Sequence, residues 1–185
     1  MICALAANLL GACDKPKKNE IDNILVPPRV VNDTDTIIHK MNETSSRDTV
    51  KWVGSTYQIS VHRHTSDSLT MIVDNNGRKY RNNIIDVVIR KADGSVFFDK
   101  KFTKAMFEGK LDKAYYEQSV LLGLVFNGSD KNSLSFLGSV GSPDILSEEF
   151  VPFDVTISEK GEVNIKKANL KTEENDSTLL EEDGV

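Results

Sequence analysis

Cysteine is nearly absent from this 185-residue chain: Cys3 and Cys13 are the only two. After Cys13 no disulfide can staple the body, and no thiol can act as nucleophile or metal ligand. No Gly-x-Ser-x-Gly elbow occurs, and no glycine-rich phosphate loop precedes a helix pattern. Basic charge is not in excess. Lys and Arg number 23 against 28 Asp and Glu, a net charge of −5, which argues against a nucleic-acid partner. Tryptophan occurs once and histidine three times, so candidates for chemistry are few.

The first apolar run, residues 2–10, carries no charge, and no Lys or Arg precedes it. As a helix it would span about 14 Å, roughly half a bilayer core, too short to cross. It leads into Leu9-Leu10-Gly11-Ala12-Cys13 and then Asp14-Lys15-Pro16-Lys17-Lys18. The small residues before the cysteine suit close approach by a peptidase. The pattern resembles the lipobox of bacterial lipoproteins, in which the cysteine receives a diacylglycerol before cleavage. The resemblance implies a signal peptide over 1–12 and a lipid on Cys13 that holds the protein to a membrane. The missing basic start leaves two alternatives: Met1 is an internal start of a longer leader, or the match is a chance one.

Charge and composition divide the remainder of the chain. Residues 13–48 are polar, with Pro16, Pro27 and Pro28, and read as a spacer with two apolar islands, Ile24-Leu25-Val26 and Val30-Val31. Residues 168–185 read as an acidic disordered tail: from Lys171 onward one lysine meets six carboxylates, so the tail holds the whole net charge and the body is neutral. Between them, 49–167 reads as one β-rich domain. The whole chain's 39% hydrophobic and 28% charged residues suit a core with a soluble surface.

Within that domain, period-two alternation predicts the strands. Val50 with Trp52 and Tyr57 with Ile59 and Val61 are out of phase, which predicts a bulge or bend at Gly54-Ser55. Leu69, Met71 and Val73 alternate up to Asp74-Asn75-Asn76-Gly77, a tight-turn signal. Residues 84–89 are apolar on both parities except Asp86, which predicts a strand covered on two faces. Asp93-Gly94 turns the chain into Val96, Phe98 and Phe102 on a shared face. Phe107, Leu111, Ala114, Tyr115 and Gln118 then fall at helical spacing, with Gly109 breaking the piece in two. Val120–Phe126 reads as a further two-face run. Alternation returns at Leu134, Phe136 and Val140, at Phe153, Val155 and Ile157, and at Val163 and Ile165. The expected fold is mainly β: about eight antiparallel strands curled into a sandwich or open barrel, with one short broken helix.

The series Trp52-x4-Tyr57, Asp74-x2-Gly77-x2-Tyr80, Val88-Ile89-Arg90-x2-Asp93-Gly94 and Phe102-Thr103-Lys104 resembles a family of uncharacterised envelope lipoproteins, a domain of unknown function, of Bacteroides-type bacteria. The resemblance covers about residues 48–166. It implies a lipid-anchored envelope protein, more on the outer membrane than elsewhere, and carries across no catalytic residue. Exported proteins of that lineage are often O-glycosylated at Asp-Ser/Thr before an apolar residue, a pattern similar to the surroundings of Thr36, Thr49 and Ser68.

For chemistry, His62 and His64 come first: alternation points both to one side of a strand, a spacing found in metal sites. A third ligand, Asp67 or Asp86, would have to be supplied by the fold. Their parity is opposite to Tyr57, Ile59 and Val61, so they are expected on the solvent face with no metal. Glu148, Glu149 and Glu117 form a weaker acid–base candidate, and Trp52, Tyr115 and Tyr116 a candidate aromatic platform for a sugar or peptide. The expected function is a monomeric, lipid-anchored envelope module that binds a protein or glycan, with no cofactor and no catalysis. The alternatives are an envelope metal-dependent hydrolase using His62 and His64, or an inhibitor or assembly accessory protein.

Overall fold

A computed structural model describes residues 37–169. The leader, Cys13, Thr36 and the acidic tail beyond residue 169 lie outside the described residues. In chain order the strands are β1 (Ile38–His39), β2 (Thr44–Trp52), β3 (Ser55–Ser66), β4 (Ile72–Val73), β5 (Lys79–Tyr80), β6 (Asn82–Lys91) and β7 (Val96–Thr103). A 3-10 segment, Lys104–Lys110, and a short helix, α1 (Lys113–Gln118), come next. The last four strands are β8 (Val120–Ser129), β9 (Ser133–Gly141), β10 (Phe150–Ser158) and β11 (Val163–Lys167). β1 and the first part of β2 thus lie inside the stretch, 13–48, that composition assigns to a spacer.

The eight longer strands make two antiparallel sheets, ordered β2-β3-β6-β7 and β11-β10-β9-β8. Inward side chains of both meet in one apolar cluster, so the fold is a sandwich. Ile59, Ile85, Val87, Ile89 and Phe102 come from the first sheet; Leu121, Leu134, Phe136, Phe153, Val155 and Ile157 come from the second. Phe107, from the 3-10 segment, adds its ring against Phe153 at 4.9 Å. Each such side chain contributes about 1.5–3 kcal/mol of transfer free energy. β1, β5 and β4 form a small third sheet, where Ile72 and Tyr80 pack on Val120 in a second cluster.

Several local expectations are corrected. Gly54-Ser55 is no bend in a continuous strand: Val53 and Gly54 form the two-residue loop of a hairpin in which Trp52 pairs with Ser55. Both have positive φ, 46° and 73°, as a primed hairpin turn demands. In β4 the buried residue is Ile72, not the Leu69, Met71 and Val73 set, because Ile72 pairs with Tyr80. In β7 a bulge opposite Ile89 and Arg90 leaves Val96 exposed and turns Phe97 toward Trp52 and Tyr57. The outer face of β6 is only half-buried at Ile84, Asp86 and Val88, so that strand is fully covered on one face. β8 divides similarly: Val120 and Leu121 are buried, but Val125 is exposed.

Two substitutions test this packing. A Cβ on Gly141 would lie 2.8 Å from Phe150 Cα and from Leu122 Cδ1, and closer still to the Glu149 carbonyl oxygen. Gly141→Ala should therefore destabilise by about 2–3 kcal/mol, seen as a lower urea midpoint at unchanged m. Val53 is half-exposed and β-branched in the left-handed region. Val53→Asn should stabilise by about 1 kcal/mol, seen as a higher midpoint.

Candidate functional site

Three loops that the strands leave at one place line a polar cleft of about 290 Å³. The β4–β5 turn supplies Asp74, Asn75, Asn76 and Arg78; α1 and its C-terminal end supply Tyr115, Gln118 and Ser119. The β9–β10 loop supplies Ser142, Asp144, Ser147 and Glu149. The turn forms because the Asp74 side chain accepts from the Asn76 N–H at 2.8 Å and the Arg78 N–H at 2.9 Å, while Gly77 takes the φ of 79° that closes it. Asp112 caps α1, accepting from the Ala114 and Tyr115 N–H groups.

Arg78 joins the first loop to the third. Its Nε donates to Asp74 Oδ2 at 2.8 Å, and its Nη2 donates to Asp144 Oδ2 at 2.5 Å. The Asp144 and Asp74 carboxylates raise the already high pKa of Arg78. Burial pushes the Asp74 carboxyl up, but N–H donation from Arg78 and Asn76 and the guanidinium charge hold it below the usual range. Asp144 is held low by the Leu146 N–H and by Arg78. Tyr115 donates from its hydroxyl to the Val140 carbonyl, and burial, with Glu149 near, raises its pKa.

Lys104 fixes the α1 wall from beneath. Its ammonium, almost fully buried, donates to the carbonyls of Tyr116 and of Ser119, the latter at 2.7 Å, and lies 4.3 Å from the Tyr116 ring centroid. It thus ties off carbonyls at the end of a helix too short to be stable alone. Burial draws its pKa down to about 8, although Glu108 and Glu117 pull the other way. Helical spacing gave no hint of this role, because a lysine just after Phe102-Thr103 reads as surface.

The remaining candidates scatter. Trp52 is buried in the core, its ring 5.3 Å from Tyr57 and its indole N–H donating to the Asp130 carbonyl at 2.9 Å. Tyr115 lines the cleft and Tyr116 covers Lys104, so the aromatic platform of Trp52, Tyr115 and Tyr116 does not assemble. Glu149 lines the cleft, whereas Glu117 lies 4.0 Å from Lys113. Thr49 is exposed on β2, and the Ser68 hydroxyl lies 2.9 Å from that of Ser66. His62 and His64 stand half-buried on the outer face of β3, their rings stacked at 5.2 Å. The third ligand that local sequence lacks comes from β6: Asp86 pairs with His62 in register, and its Oδ2 lies 3.0 Å from His64 Nε2. Asp67, the other aspartate considered, pairs with Arg81 at 3.2 Å instead.

The sequence pattern of a domain of unknown function (DUF4738) matches residues 29–165. The chain belongs to this family. The DUF4738 match runs from before β1 into β11 and so takes in both sheets, the cleft and the histidine pair. No curated protein matches the chain. The family description names no activity for the DUF4738 domain. Among the described residues, no helix is long and apolar enough to cross a membrane.

The buried Lys104 makes a pH prediction. A lysine whose folded pKa is about 8 leaves the unfolded chain holding more protons between pH 8 and its ordinary range near 10.4. Stability from this group therefore rises with pH across that window, by about 2 kcal/mol between pH 8 and pH 10. Burial keeps Tyr80, Tyr115 and Tyr116 protonated beyond their ordinary range, which gives the opposite slope above pH 10. Urea unfolding at stepped pH should show the rise, and Lys104→Met should flatten it.

Proposed function

We propose that the protein is a non-catalytic binding module of the cell envelope, tethered through a lipid on Cys13, that takes a hydroxyl-rich ligand such as a glycan in the polar cleft. The observation that carries this reading is the cleft's composition. Amides of Asn75, Asn76 and Gln118, hydroxyls of Ser142 and Ser147, and the Glu149 carboxylate converge from three loops beside Tyr115. Such a mixture of donors and acceptors next to an aromatic ring suits sugar hydroxyls.

The cleft's ionisable core supports binding over catalysis. Arg78 is engaged by Asp74 and Asp144, and both carboxyls sit below their usual range, so they are fixed charges at neutral pH and not proton carriers. A general acid or base needs a pKa near the working pH, and this network moves the opposite way.

A protein partner is the second reading. Ile145 and Leu146, 90% and 87% exposed, project from the β9–β10 loop beside the cleft. Isolated exposed apolar residues are ordinary, but an adjacent pair on a cleft rim is a natural anchor for a protein surface. An inhibitor or assembly accessory would use this rim and leave the cleft empty.

The tether rests on Leu9-Leu10-Gly11-Ala12-Cys13. Two or more acyl chains hold firmly where one holds marginally, at about 0.8 kcal/mol per buried CH₂. The lipid would fix the chain to the outer membrane as a monomer.

Both halves can be tested in one strain series. Metabolic labelling with an alkyne palmitate should mark the parent and not Cys13→Ser. Label absent from the parent, or undiminished in the variant, removes the tether. Titration of soluble oligosaccharides, followed by NMR, should shift cleft amides, with binding at least tenfold weaker in a Gln118→Ala, Asn76→Ala double variant. Shifts confined to Ile145 and Leu146 on adding envelope proteins, with none from any sugar, would favour the protein reading.

A further inference from the structure

The outer face of the first sheet carries a constellation that neither the cleft nor the tether uses. His62 and His64, two residues apart on β3, stack with an interplanar angle of 25°. Asp86 faces them from β6, and one ligand atom from each of the three lies within 4.8 Å of the others. Tetrahedral zinc with bonds of about 2.0–2.2 Å places its ligand atoms about 3.4 Å apart. The widest gap, at most 4.8 Å, must close by up to about 1.4 Å, and His62, half-exposed, is free to turn its ring.

Hydrogen bonding around His64 supplies a second, independent indication. Its Nδ1 lies 3.1 Å from the Thr65 carbonyl oxygen, which can only accept, so this nitrogen carries a proton. In the neutral ring Nε2 is then a bare lone pair, and it faces the Asp86 carboxylate oxygen at 3.0 Å. Two acceptors at that distance require a proton or a metal ion between them; 3.0 Å is the separation of a hydrogen bond, and a zinc ion would push the two atoms about 0.4 Å further apart. A carbonyl that orients the far nitrogen of a histidine is also the usual support behind a metal-bound imidazole.

The surroundings carry charge of both signs. Lys101 lies 3.4 Å from the other Asp86 oxygen, Oδ1, and so leaves Oδ2 to the histidines. Glu43, in the residue before β2, brings its Oε2 to 3.8 Å from His62 Nε2. With neutral imidazoles the group sums to −1, from Asp86 and Glu43 against Lys101.

We propose that His62, His64 and Asp86 bind one divalent cation of the zinc type, with the exposed Glu43, which now approaches His62 alone, swinging in as the fourth ligand. Two imidazoles and two carboxylates favour zinc and its d-block neighbours over calcium or magnesium, which take oxygen alone. With Glu43 swung in, four protein ligands would close the site as in structural zinc centres, whereas the three that already converge would leave one position to water. The ion would tie the start of β2 to β3 and β6, a cross-link in a domain with no cysteine to form one. It stands independently of the binding function proposed for the cleft.

The test uses the full chain carrying Cys3→Ser and Cys13→Ser, so that no thiol competes for metal. Calorimetric titration with zinc chloride should give one equivalent bound at micromolar affinity or better, and zinc should raise Tm. His64→Gln and Asp86→Asn should each weaken binding at least tenfold and abolish the Tm rise, whereas Asp67→Asn should leave both unchanged. Long-range proton–nitrogen NMR on the parent needs no variant to fold. Zinc should shift Nε2 of both histidines while His64 Nδ1 keeps its proton. The proposal is overturned by the absence of saturable binding, by equal affinity in His64→Gln and Asp86→Asn, or by unmoved Nε2 signals at saturating zinc. Unmoved signals from a doubly protonated His64 would make the contact with Asp86 a simple ion pair.

Discussion

A strand that buries every second residue dictates what the residues between must face, and β3 and β6 hold the molecule to that rule. Ile59 opposite Ile89 and Val61 opposite Val87 are buried side by side in the sandwich. A slip of β3 by one residue would carry Ile59 and Val61 into water and drive His62 and His64 into the core. The loss would be several times the roughly 1.5–3 kcal/mol of one buried side chain, far more than any contact on the outer face supplies. The inner face therefore sets the register, and the outer constellation inherits its geometry.

The cleft depends on the same sheets less directly. It is built from what the strands leave over: a turn, a six-residue helix and a loop. None of these has a core of its own, so charged side chains do the joining. Arg78 links turn to loop, and Lys104 holds the end of α1. Arg78 joins Asp74 of its own turn to Asp144 of the loop, and Lys104 reaches from the 3-10 segment to two carbonyls at one helix end. The two long basic side chains thus act as struts, where a larger domain would use packed apolar residues.

Much of the fold was legible because alternation is a local signal. The six longer strands from β6 to β11, the hairpin at Asp93-Gly94 and the broken helical stretch follow from period and turn chemistry, whereas β2 and β3 read as one bent strand. Buried Leu134, Phe136, Val140, Phe153, Val155 and Ile157 fall where alternation puts them. What escaped depends on pairing between distant segments. Asp86 meets the histidines only through the β3–β6 register, and Ile72 is buried only because Tyr80 lies opposite. Arg78 and Lys104 resemble solvated cations until the chain brings Asp144, Tyr116 and Ser119 to them. The Val53-Gly54 turn was unreadable for a different reason: valine is among the residues least suited to a positive φ.

That turn also sets the two hairpins of the first sheet apart. β6 and β7 close on a loop whose Gly94 takes a φ of 84° at little cost and whose Asp93 side chain accepts the Ser95 N–H at 2.9 Å. β2 and β3 must close against the strain at Val53, offset by the meeting of three rings. Trp52 lies 5.3 Å from Tyr57 and 5.7 Å from Phe97, and Phe97 belongs to β7. The earlier hairpin thus waits for a residue that arrives much later in the chain. A ribosome that has delivered β2 and β3 has not yet delivered the ring that packs on Trp52 and Tyr57.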